Sequence, residues 1–465
     1  MPETWATSAG LDLHLEVSGT RLRDGLESAR REAVRSGRLP AGTALPSSRA
    51  LAKDLGIARN TVADAYGQLI AEGWLAARHG SGTWVAERTA PPAAAPAAPS
   101  PPGARAIRYD LRPGEPDVAA FPRTAWLAAA RRALARAANT DLGYADPRGL
   151  RPLREAVAEY LARARGVAVT PDRVLVCGGY AEGIALLSQV LARRGATSLA
   201  VESYGLPVHR HIAASAGLTL GTLDVDQHGA LTTALGREGA VVLTPAHQFP
   251  LGVALHPQRR RGVADWAADT GGIVIEDDYD GEFRYDRQAV GALQSLAPDR
   301  VVYAGTASKS LIPGLRLGWL VLPAWLTDDV VSAKQAAGRL SSSLDQLTLA
   351  EFITSGGYDR QVRRVRIAYR QRRDRLLSEV TRRAPQARIT GIAAGLHALV
   401  ALPSGRSEDE VIADAARRGL ALQGLTSFSL GSQQHDPALV VGYAKPPGHA
   451  FTTALARLCA VLGRA

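Results

Sequence analysis

The chain has 465 residues, 46% of them hydrophobic, and a formal net charge of +11. That length suits two or three domains rather than one. The lack of a long uninterrupted apolar run, or of a basic-then-apolar leader after Met1, argues against a membrane span and a signal peptide. Two cysteines, Cys177 and Cys459, form neither a metal spacing nor a disulfide framework. They are expected as buried thiols in a reducing cytoplasm, and no metal site is expected. The positive charge invites a nucleic-acid partner, yet residues 1–88 hold 11 Lys and Arg against 10 Asp and Glu, a net of only +1. Much of the excess lies later, as in "RQVRRVRIAYRQRRDRL" (Arg360–Leu376), which reads as the solvated face of a helix.

In chain order, "TRLRDGLESARREAVRSGRL" places Leu22, Leu26, Ala29, Ala33 and Val34 at helical spacing. "PAGTALPSSRALAKDLG" reads as a turn and then a helix, with Ser47 or Ser48 near its N-cap and Gly56 near its end. "IARNTVADAYGQLIAEGWL" is the next helix. The connector Asp54–Ala58 has about the length of a helix-turn-helix turn. "WLAARHGSGTWVA" reads as two short strands around a Gly-rich tip. "TAPPAAAPAAPSPPGARA" (89–106) is nearly uncharged and lacks large apolar residues, so it is expected as an extended, mobile spacer between residues 1–88 and 107–465.

Beyond it, "VLVC", "SLAVE", "AVVLTP", "GIVIEDDY", "RVVYAG" and "GWLVLP" alternate with helical stretches. That pattern predicts an α/β domain with a largely parallel sheet. Functional groups in such sheets gather at strand ends. There "GIVIEDDYDGEF" presents Glu276, Asp277, Asp278 and Tyr279, "VVYAGTASKS" ends near Lys309, and "VLVCGGYAEGIALL" is a strand, a Gly-rich turn and a helix start.

The first body, through "SGRLPAGTALPSSRALAKDLGIARNTVADAYGQLIAEGWLAARHGSGTWV", resembles the winged helix-turn-helix of the GntR regulators. The resemblance implies that Arg59, Asn60 and Thr61 open the recognition helix, facing base edges or phosphate. Ser48 and Arg49 would sit near the backbone or groove, and Arg78, His79, Gly80 and Ser81 would form the wing tip against double-stranded DNA. The chemistry is arginine to guanine, asparagine to adenine, and hydroxyls and amides to phosphate.

The second body resembles the fold type I pyridoxal-phosphate enzymes, the aspartate aminotransferase superfamily, through "LGYADPRGLRPLREAVAEYL", "VCGGYAEGI", "TPAHQFPLGV", "VIEDDYDGEF" and "SKSLIPGLRLGW". Joined to a GntR head, it is similar to the MocR/GabR regulators. The resemblance implies pyridoxal 5′-phosphate as cofactor, with Lys309 as its Schiff-base lysine. Thr306, Ser308 and Arg316 would hold the phosphate with the turn at Gly178, Gly179, Tyr180 and Ala181. Asp277 would pair with the pyridinium nitrogen, with Asp278 the lesser rival, and Tyr279 would bond the ring O3′. Tyr144 would reach the phosphate of a neighbouring subunit, which makes a homodimer the expected assembly.

Three aminotransferase positions depart from the pattern. Phe249 stands where the family usually has asparagine. Leu206, or Tyr204 with a shifted loop, stands at the ring-stacking place. Val440 replaces the arginine that grips the substrate carboxylate, a contact worth about 1.5–3 kcal/mol per bond. The cofactor anchors are kept and the amino-acid anchor is lost, which speaks against efficient transamination. It favours a cytoplasmic regulator whose effector is pyridoxal phosphate itself, as in the PdxR-type members that control vitamin B6 synthesis. Two alternatives stay open: an aminotransferase with an accessory helical head, and a regulator of an amino-acid-derived ligand.

Overall fold

The computed structural model describes residues 22–78, 82–87, 107–144, 146–285, 290–431 and 435–463, together with the backbone of two short strands, Ala6–Ser8 and Leu11–Leu13. The wing-tip residues His79, Gly80 and Ser81 and the stretch 89–106 lie outside the described residues. The chain divides into two compact units, Met1–Ser100 and Pro101–Ala465.

The first unit packs three helices, α1 (Leu22–Arg35), α2 (Ser48–Leu55) and α3 (Arg59–Ala71), against a small sheet. Its core is Leu26, Ala33, Leu51, Leu55, Val62, Ala65, Leu69 and Val85 with their neighbours. Ser47, not Ser48, caps α2: its hydroxyl accepts the Ala50 N–H at 3.2 Å. Gly56 closes the helix at φ 64°, a left-handed turn that glycine adopts without a Cβ clash. The wing has three strands rather than two, in the order Ala44–Leu45, Gly82–Val85, Leu75–Arg78. The added strand is two residues long, too short for any alternation to show.

The second unit is built on a seven-stranded sheet in the order Val174–Cys177, Gly318–Val321, Val301–Thr306, Ile273–Asp277, Ala240–Leu243, Ser198–Glu202, Thr219–Leu223. Only Gly318–Val321 runs antiparallel to its neighbours. Alternate residues serve opposite faces, as the strand period of two requires. Leu175, Cys177, Val302 and Ala304 enter one core, and Val174, Val176 and Tyr303 another. The six apolar runs of the sequence are six of these strands. The seventh, "TLGTL", is an edge strand with mostly uncovered residues and little apolar signal. A smaller three-stranded sheet, Arg388–Thr390, His397–Ala401 and Ala438–Gly442, packs with helices Gly357–Arg383 and Gly448–Leu462 around a separate core. The arginine-rich run lies in helix Gly357–Arg383, which buries Gln361, Val365, Tyr369, Leu376 and Val380. Arg360, Arg363, Arg366 and Arg370 fall outside that buried set, so most of this charge is solvated. Cys177 and Cys459 are buried free thiols. Among the described residues no helix is long and apolar enough to cross a membrane.

Candidate functional site

In the first unit, α3 buries Val62, Ala65, Tyr66 and Leu69 and turns its start outward. Arg59 and Asn60 are exposed and Thr61 is half-buried. Ala58 caps α3 with no side-chain hydrogen bond; the Thr61 N–H donates to the Ala58 carbonyl at 3.1 Å, and the Arg59 and Asn60 N–H groups precede any intrahelical acceptor. Arg49 in the first turn of α2 and Arg78 at the end of its strand are exposed, while Ser48 is half-buried.

In the second unit, the carboxyl ends of the six like-directed strands meet at one edge. A cavity of about 290 Å³ opens there. Leaving the rival Asp278 aside, nine of the eleven sequence-read contacts line it: Gly179, Tyr180, Ala181, Asp277, Tyr279, Thr306, Ser308, Lys309 and Arg316; Gly178, in the same turn, does not. Strand Val174–Cys177 turns through Gly178–Gly179 into helix Tyr180–Arg193. Gly179 has φ 93°, and a Cβ on Gly318 would come within 2.9 Å of the Gly179 Cα. The turn therefore packs backbone on backbone, and the uncapped helix aims N–H groups at the cavity. Strand Val301–Thr306 delivers the hydroxyl pair, with Thr306 Oγ1 and Ser308 Oγ 3.0 Å apart. Arg316 has φ 51°, the one non-glycine residue at positive φ among the described residues. Such conformations cluster where a side chain is being aimed at a function.

Strand alternation separates the neighbouring acids. Asp277 borders the cavity. Asp278 points to the other face, where Arg165 grips it at 2.7 and 3.0 Å and the Tyr303 hydroxyl donates at 2.7 Å. Glu276 accepts the N–H groups of Leu293 and Gln294. Of the three consecutive acids, Asp277 alone lines the cavity.

Burial lowers the Lys309 ammonium pKa, opposed chiefly by Asp277, and so favours the neutral, nucleophilic amine. Burial raises the Asp277 pKa well above its usual range, opposed by Lys309. The Lys309 amine donates to the Gly114 carbonyl, a contact from far upstream in the chain that no sequence feature announced. His209 also borders the cavity, its ring 4.6 Å from that of Tyr180, and burial lowers its pKa to about 4. It sits on helix Pro207–Ser215, and a helical reading of "YGLPVHRH" could have placed it inward. Both sequence candidates for the stacking position, Tyr204 and Leu206, line the cavity as well. Tyr144 does not: it is fully exposed.

Val440, which the sequence reading sets at the place of a carboxylate-binding arginine, is a packing residue. Val440 is wholly buried in a cluster with Tyr204, Phe249, Leu425 and Phe428. A charge there would lose hydration with no partner.

The donor set fits a phosphorylated aromatic aldehyde. Open N–H groups, two hydroxyls and a guanidinium suit a phosphate, a buried carboxyl suits a ring nitrogen, and a lysine amine suits an aldehyde. Residues 109–434 match the model of the aminotransferase class I and II family, and residues 23–85 match that of the bacterial regulatory proteins of the gntR family. The "HTH-type pyridoxine biosynthesis transcriptional regulator PdxR" of Corynebacterium glutamicum is 31% identical over 430 residues, covering 89% of this chain and 90% of that protein. The "Probable rhizopine catabolism regulatory protein MocR" of Rhizobium meliloti is 35% identical, covering 89% and 88%. The chain belongs to the MocR family of transcriptional regulators.

The second unit of this MocR-family regulator has the fold of solved aminotransferases. The α-aminoadipate aminotransferase LysN of Thermus thermophilus superposes with a TM-score of 0.68 and 25% identity, covering 76% of this chain and 91% of that one. The GntR-type head makes the regulator a DNA-binding protein, and its second unit belongs to a pyridoxal-phosphate-binding family.

Proposed function

We propose that this regulator holds pyridoxal 5′-phosphate in the cavity and answers to that cofactor as its effector. One observation carries the reading: the cavity gathers Lys309, Asp277 and a cup of phosphate-type donors, while Val440 at the carboxylate-anchor position is buried among apolar side chains. Bound there, pyridoxal phosphate supplies an aldehyde to an amine and a ring that accepts negative charge. Lys309 offers the amine. Asp277 ionises against the ring nitrogen. Thr306, Ser308, Arg316 and the helix start at Gly179, Tyr180 and Ala181 fix the phosphate. The test is titration of apo-protein with pyridoxal phosphate, followed by the visible spectrum and by binding to its own promoter region. Spectral change at constant DNA affinity would reduce the cofactor to a structural role. Arg210, which also lines the cavity, favours a second reading, an effector bearing a carboxylate. In that case an amino acid, and not pyridoxal phosphate alone, alters the spectrum and the DNA affinity.

Tyr144 belongs to the phosphate site of a second copy in this reading. Exposed apolar residues Leu127, Leu134, Leu142 and Leu344 suit such a homodimer. Two heads then engage paired half-sites, each raising the other's effective concentration. Sedimentation as a monomer, or a footprint indifferent to the second half-site, would sink that arrangement.

Arg59 reads a base edge, and Arg78 holds the DNA backbone. Arg59→Ala is expected to lose about 1–3 kcal/mol of preference for operator over random DNA. Arg78→Ala weakens both nearly alike, through a salt-dependent phosphate contact. Competition binding at two salt concentrations distinguishes them; full operator preference in Arg59→Ala moves recognition elsewhere.

A further inference from the structure

We propose that His247 and Asp280 are positioning residues: a buried imidazole–carboxylate pair that turns the Tyr279 hydroxyl proton toward the cavity and so sets the charge on a bound pyridoxal-phosphate ring. The proposal rests on the cofactor reading above. His247 Nδ1 lies 2.8 Å from Asp280 Oδ2 and 3.1 Å from the Tyr279 hydroxyl oxygen. His247 and Asp280 are each 2% exposed. At 2.8 Å from a carboxylate oxygen the ring nitrogen carries the proton, since two bare acceptors would repel. The same N–H then meets the Tyr279 oxygen, which accepts. The Asp280 carboxylate also lies against the Tyr279 hydroxyl and competes for its proton. The imidazole N–H, set between the two oxygens, occupies the carboxylate, so that the tyrosine proton is turned to the cavity that Tyr279 borders.

The pair is clamped from behind. Gly395 has φ 76°, and a Cβ there would fall 2.2 Å from His247 Cε1 and 2.6 Å from Asp280 Oδ2. The Gly395 carbonyl is in turn held by the hydroxyls of Tyr285 and Tyr443, at 2.5 and 2.7 Å. On the far side the His397 ring lies 5.2 Å from His247, its Nε2 3.1 Å from the Pro250 carbonyl oxygen. Such support restricts the imidazole to one orientation, which a merely space-filling histidine would not need. The other titratable groups facing the triad are Asp277, Glu282, Lys309, His397, Tyr285 and Tyr443. Neither His247 nor Asp280 lines the cavity, so both act through Tyr279.

The experiment titrates the visible band of the full-length protein, loaded with pyridoxal phosphate, against pH. It compares wild type, Tyr279→Phe, His247→Gln, Asp280→Asn and the double variant His247→Gln/Tyr279→Phe. A proton given to the ring oxygen withdraws its negative charge and favours the deprotonated chromophore, so Tyr279→Phe raises the midpoint by about one pH unit. His247→Gln and Asp280→Asn are expected to raise it in the same direction. The double variant is expected to match Tyr279→Phe, because the pair has nothing left to orient. A midpoint unchanged in His247→Gln and Asp280→Asn overturns the proposal. So does a double variant shifted by the sum of the singles, which would mean that the imidazole acts by its own charge. If His247→Gln does not fold, Asp280→Asn, which keeps the side chain's size, decides alone. A wild-type protein with no visible band defeats the cofactor reading and this proposal with it, whereas a normal band that ignores His247 and Asp280 defeats this proposal only.

Discussion

Lys309→Ala is expected to lose the aldimine band that pyridoxal phosphate gives the wild type, and borohydride is expected to fix no adduct to it. The chain contains only four lysines, Lys53, Lys309, Lys334 and Lys445, so the attachment point can be mapped by mass without ambiguity. Lys53 belongs to the DNA-binding unit. The Lys334 amine is buried against the carbonyls of Pro147 and Val176. Lys445 pairs with Asp110 and Glu115 at 3.0 and 3.2 Å. Among these only Lys309 lines the cavity, and burial favours its neutral form. An adduct that persists on Lys334 or Lys445 in Lys309→Ala would remove the lysine assignment. The phosphate cup remains in that variant, so it should still retain pyridoxal phosphate, weakly and without a covalent bond.

The second large effect separates two adjacent acids. Asp278→Ala strands the buried Arg165 guanidinium, whose remaining partner is the Gly281 carbonyl at 3.2 Å. Breaking one side of a buried pair costs about 3–5 kcal/mol. Asp278→Ala should therefore lower the denaturation midpoint strongly, with or without the cofactor. Asp277→Asn should behave in the opposite way. Its folded pKa is raised by burial, so the apo wild type carries a stabilising contribution at low pH. That contribution is lost as pH rises from the unfolded carboxylate value through the raised folded one. Asp277→Asn removes the loss, leaving apo stability at neutral pH equal or higher, yet it weakens cofactor binding because no carboxylate meets the ring nitrogen. Denaturant titrations of both variants at pH 5 and pH 8 check the signs. An Asp278→Ala protein as stable as wild type, or an Asp277→Asn protein less stable at pH 8 than at pH 5 by the wild-type margin, would reverse the assignment.

The helix-turn-helix was legible because its information is local. Apolar spacing and the glycine at residue 56 place α2, the turn and α3 without reference to anything distant. The sheet was legible for a similar reason: strands buried on both faces are continuous apolar runs, and six of them stand out. Lys309, Asp277 and Gly179 could be placed together because each follows such a run, and like-directed strands bring their ends to one edge. What the sequence left open turned on direction and distance. "EDD" does not say which acid faces inward; the register of strand Ile273–Asp277 and the position of Arg165, more than a hundred residues earlier, decide it. The sequence shows a valine at position 440, but only the tertiary structure shows that it packs with Phe249, Phe428 and Tyr204 in a buried cluster. The Gly114 carbonyl on Lys309 and the His247–Asp280 pair behind Tyr279 join segments that are far apart in the chain or that meet at one ring nitrogen. A sequence read in one dimension carries propensity and periodicity. Which polar groups share a buried space is fixed only when the chain closes on itself, because hydrogen bonds and desolvation act over a few ångströms in three dimensions.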